Sequence, residues 1–165
     1  MYARKIAIIT ACLALFSAGC SKINSTAEKN QPPVNQEKES VNQSQLSGEW
    51  KIAYGGNYGY EFRLQDNYKA IIILYLNEQS IVFKGVWAIE DNNILRANIS
   101  EIKNVDNANQ VNTDSGFTKT RGSKFLFNAE LNENGEILIL KPLSIVIDSN
   151  NSSGFFEPVM KLKKI

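Results

Sequence analysis

The chain has 165 residues, of which 43% are hydrophobic and 21% are charged, with 18 basic against 17 acidic side chains. A net charge of +1 argues against a nucleic-acid-binding protein, which normally carries a strongly basic surface. The sequence contains no histidine, so serine–histidine and cysteine–histidine nucleophile systems are excluded, together with the commonest metal ligand.

The first twenty residues have the pattern of a secretory signal. Arg4 and Lys5 precede an apolar run over residues 6–15, and small residues at 17–19 lead into Cys20. This run is shorter than the ~20 residues that a membrane-spanning helix needs. The stretch FSAGCSK resembles bacterial lipoprotein signal peptides, which implies cleavage before Cys20 and acylation of its sulfur. An ordinary secretory signal cut elsewhere is the alternative.

Acylation at Cys20 has consequences for chemistry and location. Cys12 would be removed with the signal, so the resemblance leaves the mature domain without a disulfide, a thiolate nucleophile or a cysteine metal site. More than one acyl chain anchors a protein stably to a membrane. Ser21 stands where an aspartate retains many Gram-negative lipoproteins at the inner membrane. The resemblance therefore favours anchoring in the cell envelope, on the periplasmic side of the outer membrane.

A polar segment separates this signal from the rest of the chain. Residues 21–46 are rich in Asn, Gln, Ser, Lys and Glu, and their apolar residues are isolated. Such a composition cannot bury enough surface to offset the entropy lost on ordering. We therefore expect a cleaved signal peptide at 1–19, an acylated cysteine and flexible tether at 20–46, and one domain at 47–165. A tether that wraps a partner on binding is the alternative.

The hydrophobic pattern of the domain has a period of two, which is typical of half-buried β-strands. Apolar and polar residues alternate over 50–54, 60–65 and 125–131, and polar turns separate the segments. The pattern predicts eight strands and no helix. The other predicted strands are 68–76, 81–89, 94–102, 136–147 and 155–164, with a bulge or a sheet edge at Pro142.

We predict an all-β domain in which about eight antiparallel strands close into an up-and-down barrel. Closure removes the two exposed edges of a sheet. Eight strands enclose an interior that is either filled by side chains or holds one small ligand. A two-sheet sandwich is the alternative. A membrane-spanning barrel is disfavoured because Glu61, Arg63 and Lys84 lie on the predicted outer face.

Two G-x-W motifs carry a family resemblance. The stretch LSGEW, which ends at Trp50, resembles the opening of the calycin superfamily, which includes lipocalins, fatty-acid-binding proteins and lipocalin-like lipoproteins; a second motif ends at Trp87. The resemblance implies a lipocalin-like barrel in which Trp50 packs across the closed end. It also implies a basic companion near the last strand, usually an arginine, where this chain has Lys161, Lys163 and Lys164.

Two sets of aromatic residues are candidates for binding. One set lines the predicted interior, as ligand contacts or as a filled core: Trp50, Tyr60, Phe62, Phe83, Trp87, Phe125 and Phe127. The other is Tyr54 and Tyr58 in the loop YGGNYGY, since tyrosine and glycine are typical of binding loops; a plain hairpin connection is the alternative. A polar segment at 103–122 is longer than usual loops and is either a lid, a partner-binding element or a loop without a role.

Few side chains remain for catalysis or metal binding. Glu49, Glu61, Glu130 and Glu157 are the acid–base candidates, but they alternate with apolar residues, as solvated strand faces do. The stretch 106–116 offers oxygen ligands for calcium without the spacing of a calcium-binding hand. We therefore expect no enzymatic activity, no cofactor and no metal.

The expected function is that of a monomeric, lipid-anchored envelope lipoprotein whose barrel binds a small apolar or amphipathic ligand. The alternative is a protein-interaction module of the envelope with a filled core, such as an inhibitor, an immunity factor or an assembly accessory. An enzyme that uses the glutamates is a third hypothesis. The expected partners are the membrane, through the acyl chains, and a small apolar ligand or an envelope protein, but no nucleic acid.

Overall fold

The computed structural model describes residues 40–106 and 111–165, which are mostly β-strand. The described elements are one short α-helix, α1 (Gln43–Leu46), two 3₁₀ turns (Asp91–Asn93 and Ser153–Phe155) and nine strands: β1 (Gly48–Gly55), β2 (Tyr58–Leu64), β3 (Lys69–Leu76), β4 (Gln79–Glu90), β5 (Ile94–Val105), β6 (Thr118–Leu131), β7 (Ile137–Ile147), β8 (Asn150–Asn151) and β9 (Met160–Lys164). The predicted signal peptide and Cys20 lie outside the described residues. Within the described ranges, no helix has the length and apolar character to cross a membrane.

The strands form one closed antiparallel barrel. Each strand from β1 to β6 pairs with the next along the chain, and β6 also pairs with β7. Strand β9 closes the ring by pairing with β7 on one side and with β1 on the other. Eight strands therefore make the wall, while the two-residue β8 only adds to β7. The predicted eight-stranded antiparallel barrel is confirmed.

Alternation along the strands decides which side chains fill the interior. Phe62 on β2 lies opposite Trp50 on β1 and Ile72 on β3, and all three are buried. Because directly opposed residues share a face of the sheet, such rows of inward side chains run around the barrel. Burying a side chain of this size contributes roughly 1.5–3 kcal/mol. The interior rows are therefore the main source of stability.

The strand registers shift at four places in the wall, and two of these shifts follow from particular residues. Between Lys84 and Gly85 the register of β4 against β5 shifts, and a Cβ atom on Gly85 would collide with the backbone oxygen of Asn98. The glycine of the second G-x-W motif is thus required by close strand contact. A second register shift lies where Pro142 opposes Phe127, as predicted, because proline cannot donate to a regular ladder.

The helix α1 lies at the end of the barrel where the chain enters. Its first turn is closed by a capping box: Gln45 N donates to Asn42 Oδ1 at 3.1 Å, and Asn42 N donates to Gln45 Oε1 at 2.8 Å. Leu46 is fully buried in the core. The helix therefore lies within the segment predicted as tether, and the packed domain begins before Ser47.

Trp50 is buried at this same end, which we call the entry end. Its indole Nε1 donates to the carbonyl of Leu46 at 2.7 Å, and the ammonium of Lys164 lies 5.1 Å from the ring centroid. A cation over an aromatic face is favourable. Lys164 therefore contacts Trp50 at the position where the resemblance implied a basic companion.

Two predicted boundaries differ in the structure. The last strand starts at Met160 rather than at residue 155, because Pro158 interrupts the pattern that precedes it. The predicted long loop at 103–122 shrinks to 106–117, because β5 and β6 extend into it. Cross-strand pairing of Glu101 with Lys119 supports the extension, since opposite charges stabilise facing strands.

Candidate functional site

Aromatic side chains occupy the barrel interior. All seven residues predicted to line it are at most 2% exposed: Trp50, Tyr60, Phe62, Phe83, Trp87, Phe125 and Phe127. The rings of Phe83 and Phe125 are 5.0 Å apart and nearly perpendicular. Those of Phe62 and Phe127 are 5.6 Å apart in the same arrangement. This edge-to-face packing is favourable, so these side chains satisfy one another without a ligand.

Phe156 completes the interior cluster from outside the strands. The sequence placed it on one face of the last strand, but it lies in the segment before β9. It is 6% exposed, and its ring lies 5.5 Å from that of Tyr60 and 5.3 Å from that of Phe127. Pro158, two residues later, was the sequence signal that this segment leaves the strand.

A hydroxyl network holds this segment, residues 152–159, which we call the strap. Tyr60 Oη donates to the carbonyl of Phe155 at 3.3 Å and accepts from the amide of Glu157 at 3.1 Å. Tyr58 Oη donates to Glu157 Oε1 at 3.0 Å. Burial raises the pKa of Tyr60, and the hydrogen bond with Tyr58 raises it further. The phenol therefore remains a protonated donor at neutral pH.

The end of the barrel opposite the entry end carries exposed aromatic and apolar side chains. Tyr54 is 45% exposed, Phe155 41% and Val159 44%. The ring of Tyr54 lies 5.7 Å from that of Tyr58. Both residues lie in strands, near the end of β1 and at the start of β2, as in the plain hairpin connection given as the alternative. Burial and the charge of Glu157 raise the pKa of Tyr54. We call Tyr54, Tyr58, Phe155 and Val159 the aromatic end; exposed apolar clusters of this kind mark interaction sites.

The wall is incomplete beside the aromatic end. Strand β9 pairs with β1 only at Trp50 and Lys51, although β1 continues to Gly55. On that side of β1, the described residues provide no further strand partner. Free strand edges are places where another segment can dock. The strap starts from β8 on the far side of this gap and leads into β9.

The described part of the shortened loop, residues 111–117, packs on the outside of the wall. Lys103 Nζ donates to the carbonyls of Asn112, at 3.2 Å, and Ser115, at 2.7 Å. The ammonium of Lys84 lies 4.1 Å from the ring centroid of Phe117. These contacts place the described part of the loop beside β4 and β5.

The four glutamates stand apart on different elements. Glu61 is on β2, Glu130 on β6 within 3.3 Å of Lys141 Nζ, and Glu157 on the strap. Glu49 lies opposite Arg63 on the outer wall of β1. Glu49 and Glu61 lie on neighbouring strands and both interact with Arg63, while Glu130 and Glu157 lie on other elements.

Glu61 is the unusual member of this set, because only 3% of it is exposed. It accepts from Tyr75 Oη at 2.8 Å and from Arg63, and Lys51 Nζ lies 3.4 Å away. Burial alone would raise the pKa of Glu61, but the hydrogen bonds from Tyr75 and Arg63 and the charges of Arg63 and Lys51 lower it overall. Glu61 is thus a buried carboxylate of the outer wall that is paired with Arg63 and Lys51. It is not a solvent-exposed residue of the strand.

An open pocket of about 500 Å³ lies at the entry end. Its walls come from α1, the start of β1 and the β2–β3 turn, and include Ser47, Glu49, Arg63 and Asp66. The pocket is outside the barrel interior and largely polar. It does not supply the apolar internal volume that binding of a small apolar ligand requires.

The remaining predictions concern residues or partners that the structure does not contain. Cys20, the predicted acylation site, lies outside the described residues. In the described ranges, no three metal-binding side chains gather at one place. No protein-family model, no curated protein and no solved structure matches this chain.

Proposed function

We propose that this chain is a lipid-anchored lipoprotein of the bacterial envelope whose lipocalin-like barrel is a protein-interaction module. One observation carries the proposal: the interior is occupied by the protein's own aromatic rings, while Tyr54 and Phe155 are exposed together at one end. A holder of internal ligands needs free internal volume. A protein-binding module needs an exposed apolar surface, in which tyrosine and phenylalanine are favoured.

The direction of the chain supports this assignment. Val41 N donates to Asn93 Oδ1 at 2.8 Å, so the chain enters beside the turn between β4 and β5. That turn is at the end opposite the β1–β2 turn, which follows Tyr54 near the end of β1. The chain that carries the proposed anchor at Cys20 therefore joins the barrel at the entry end, opposite the aromatic end.

The other two functions receive less support. Binding of a small apolar ligand stays a prediction. The aromatic rings pack against one another in the interior, so no observation of the barrel favours this function. The proposal assigns no catalytic residue, because the sequence lacks histidine and the four glutamates lie on different elements. The proposed placement on the periplasmic side of the outer membrane rests on the signal resemblance and on Ser21.

The anchoring part of the proposal is tested by metabolic labelling with an alkyne analogue of palmitate. Cells that produce the unaltered chain should give a labelled band, and Cys20→Ser should abolish the label. Cys12→Ser is the matched control, because Cys12 would leave with the signal, and it should keep the label. Label that survives Cys20→Ser would refute acylation at this position.

The binding part is tested by photo-cross-linking in intact cells. A benzophenone amino acid is placed at Tyr54 or, as the matched control, at Tyr68, which is 54% exposed at the entry end. We expect a specific protein adduct from position 54 that Phe155→Ala weakens, and none of the same mass from position 68. Equal adducts from both ends, or none from position 54, would contradict the proposed surface.

A further inference from the structure

Glu157 is a partly buried acidic residue of the strap, at the aromatic end. Within the described residues, its carboxylate accepts one hydrogen bond, which Tyr58 Oη donates to Oε1 at 3.0 Å. The ion pairs in this part of the chain use other carboxylates, those of Glu61, Glu90 and Glu130. A carboxylate can accept about four hydrogen bonds, so Glu157 has capacity for donors from another molecule.

The pair formed by Tyr58 and Glu157 repeats an arrangement found on the outer wall. There Tyr75 Oη donates to Glu61 Oε2 at 2.8 Å. A cation completes that group, because Lys51 Nζ lies 3.4 Å from Glu61 Oε2 and 5.0 Å from the centroid of the Tyr75 ring. At the aromatic end, the described residues provide the tyrosine and the carboxylate but no such cation.

Aromatic rings adjoin this carboxylate. The ring of Tyr54 is exposed and lies 5.7 Å from that of Tyr58 and 6.0 Å from that of Tyr60. The amide of Glu157 donates to Tyr60 Oη at 3.1 Å, so its backbone is held by the same tyrosine cluster. Aromatic faces attract cations. A guanidinium is planar, stacks on such faces and pairs with carboxylates, whereas an ammonium is compact and strongly hydrated. An exposed ring near a carboxylate therefore favours arginine.

We propose that the aromatic end binds an arginine side chain of the partner protein, whose guanidinium stacks on Tyr54 and donates hydrogen bonds to the carboxylate of Glu157. The partner thereby supplies the kind of cation that Lys51 supplies to Glu61 on the outer wall. Arginine is among the residues that contribute most to binding at protein interfaces. This inference rests on the proposed protein-interaction function and specifies the chemistry of the partner at that surface.

The test is an NMR titration with N-acetyl-arginine methylamide as the probe, at constant ionic strength. The protein is the chain from residue 20, with Cys20→Ser to prevent acylation. The probe should shift the backbone amide signals of Tyr54 and Glu157. The citrulline analogue has the same shape without the charge, and it should bind at least about fivefold more weakly. The lysine analogue should also bind less tightly, because an ammonium has no plane to stack on a ring.

Three variants assign the binding to the proposed residues. Glu157→Gln removes the charge but keeps an oxygen acceptor, and it should weaken binding of the arginine probe at least about fivefold. Tyr54→Leu should weaken it about two- to fivefold, the contribution of an exposed cation–π contact. Glu78→Gln is the matched control and should leave the affinity unchanged. It removes a carboxylate from the β3–β4 turn, which lies at the same end because Asn77 N donates to the carbonyl of Asn57 at 3.1 Å.

The arginine site is overturned if the citrulline or lysine analogue binds as tightly as the arginine probe. It is also overturned if Glu157→Gln binds the probe as tightly as Glu78→Gln does. Should Glu157→Gln not fold, Tyr54→Leu decides: weaker binding supports the site, and an affinity equal to that of the control overturns it.

Cross-linking in cells separates this inference from the function on which it rests. The benzophenone amino acid is placed at Val159, which is exposed at the same end and leaves Tyr54 in place. We expect a protein adduct that Glu157→Gln weakens and Glu78→Gln does not. An adduct that Glu157→Gln leaves unchanged would overturn the arginine site while the proposed function stands. Binding of the arginine probe without any adduct would support the site and contradict the proposed function.

Discussion

Trp50 shows how one side chain serves both chain entry and closure of the barrel. Its ring is fully buried, its indole nitrogen bonds to the carbonyl of Leu46, and Lys164 covers one face. Trp50 and Leu46 come from β1 and the adjacent α1, whereas Lys164 comes from β9 at the other end of the domain. Removing the ring would therefore loosen three elements at once.

We expect Trp50→Ala to lower the free energy of unfolding by roughly 3–5 kcal/mol, because it leaves a cavity in a packed core. Urea denaturation followed by circular dichroism measures the change. Tyr68→Ala, at an exposed position, is the control and should stay within about 0.5 kcal/mol of the unaltered chain. A Trp50→Ala loss as small as that of the control would mean that Trp50 does not close the barrel.

Glu61 predicts a pH dependence of stability. Its pKa in the folded chain lies below the ordinary value of 4.5, so the ionised carboxylate favours folding. This stabilisation is complete above pH 4.5 and is lost as the pH falls through the lower folded pKa. The unaltered chain should therefore lose more stability between pH 6 and pH 3 than Glu61→Gln does, in a pair of urea denaturation series at about 0.1 M salt.

A matched variant separates Glu61 from the other carboxylates. Glu78→Gln changes an exposed residue of the β3–β4 turn and should keep the pH dependence of the unaltered chain. If Glu61→Gln also keeps it, the Lys51, Arg63 and Tyr75 contacts do not stabilise the ionised form.

At the residue scale, alternation predicted the seven interior aromatic residues because each lies on a regular strand. Alternation did not predict the burial of Glu61. An outward carboxylate is buried only when partners such as Arg63 and Tyr75 lie beside it, and the strand register determines that placement. Phe156 could not be assigned to the strap from the pattern alone. Its position depends on hydroxyls of Tyr58 and Tyr60, nearly a hundred residues earlier.

Helix α1 is an element that the sequence pattern did not predict. Four residues are too few to show a helical period, and three of the four are polar. Its formation depends on the cap at Asn42 and on burial of Leu46 against the barrel. The strands were predictable because a period of two recurs over five or more residues. The ends of β5 and β6 were less predictable, because strand pairing continues there into polar residues.

The contribution of α1 can be measured by comparing two shortened chains. A chain over residues 38–165 retains the helix, and one over residues 47–165 lacks it. Loss of Leu46 and of its bond to Trp50 should make the shorter chain less stable by at least about 2 kcal/mol, the cost of emptying a core leucine site. Thermal and urea denaturation provide the comparison, and equal stability of the two chains would place the domain boundary at Ser47 after all.

At the scale of the whole molecule, the two ends of the barrel differ in chemistry. The entry end holds α1, Trp50 and an open polar pocket, and the opposite end holds the strap and exposed aromatic residues. Between them, the interior is filled with rings. Closure of eight strands was predictable because hairpin-linked strands must avoid free edges. The sequence could not predict whether the interior is filled. The same aromatic residues can line a pocket or pack together, depending on the positions of rings such as that of Phe156.

The central claim is that the interior is filled by the protein itself and that function resides at the surface. Native mass spectrometry of residues 38–165, purified from the cells that naturally produce the protein, tests this claim most directly. We predict a single species with the mass of the polypeptide alone, and the same mass after denaturation. A heavier native species that releases a small molecule on denaturation would contradict the claim and would favour the internal-ligand function.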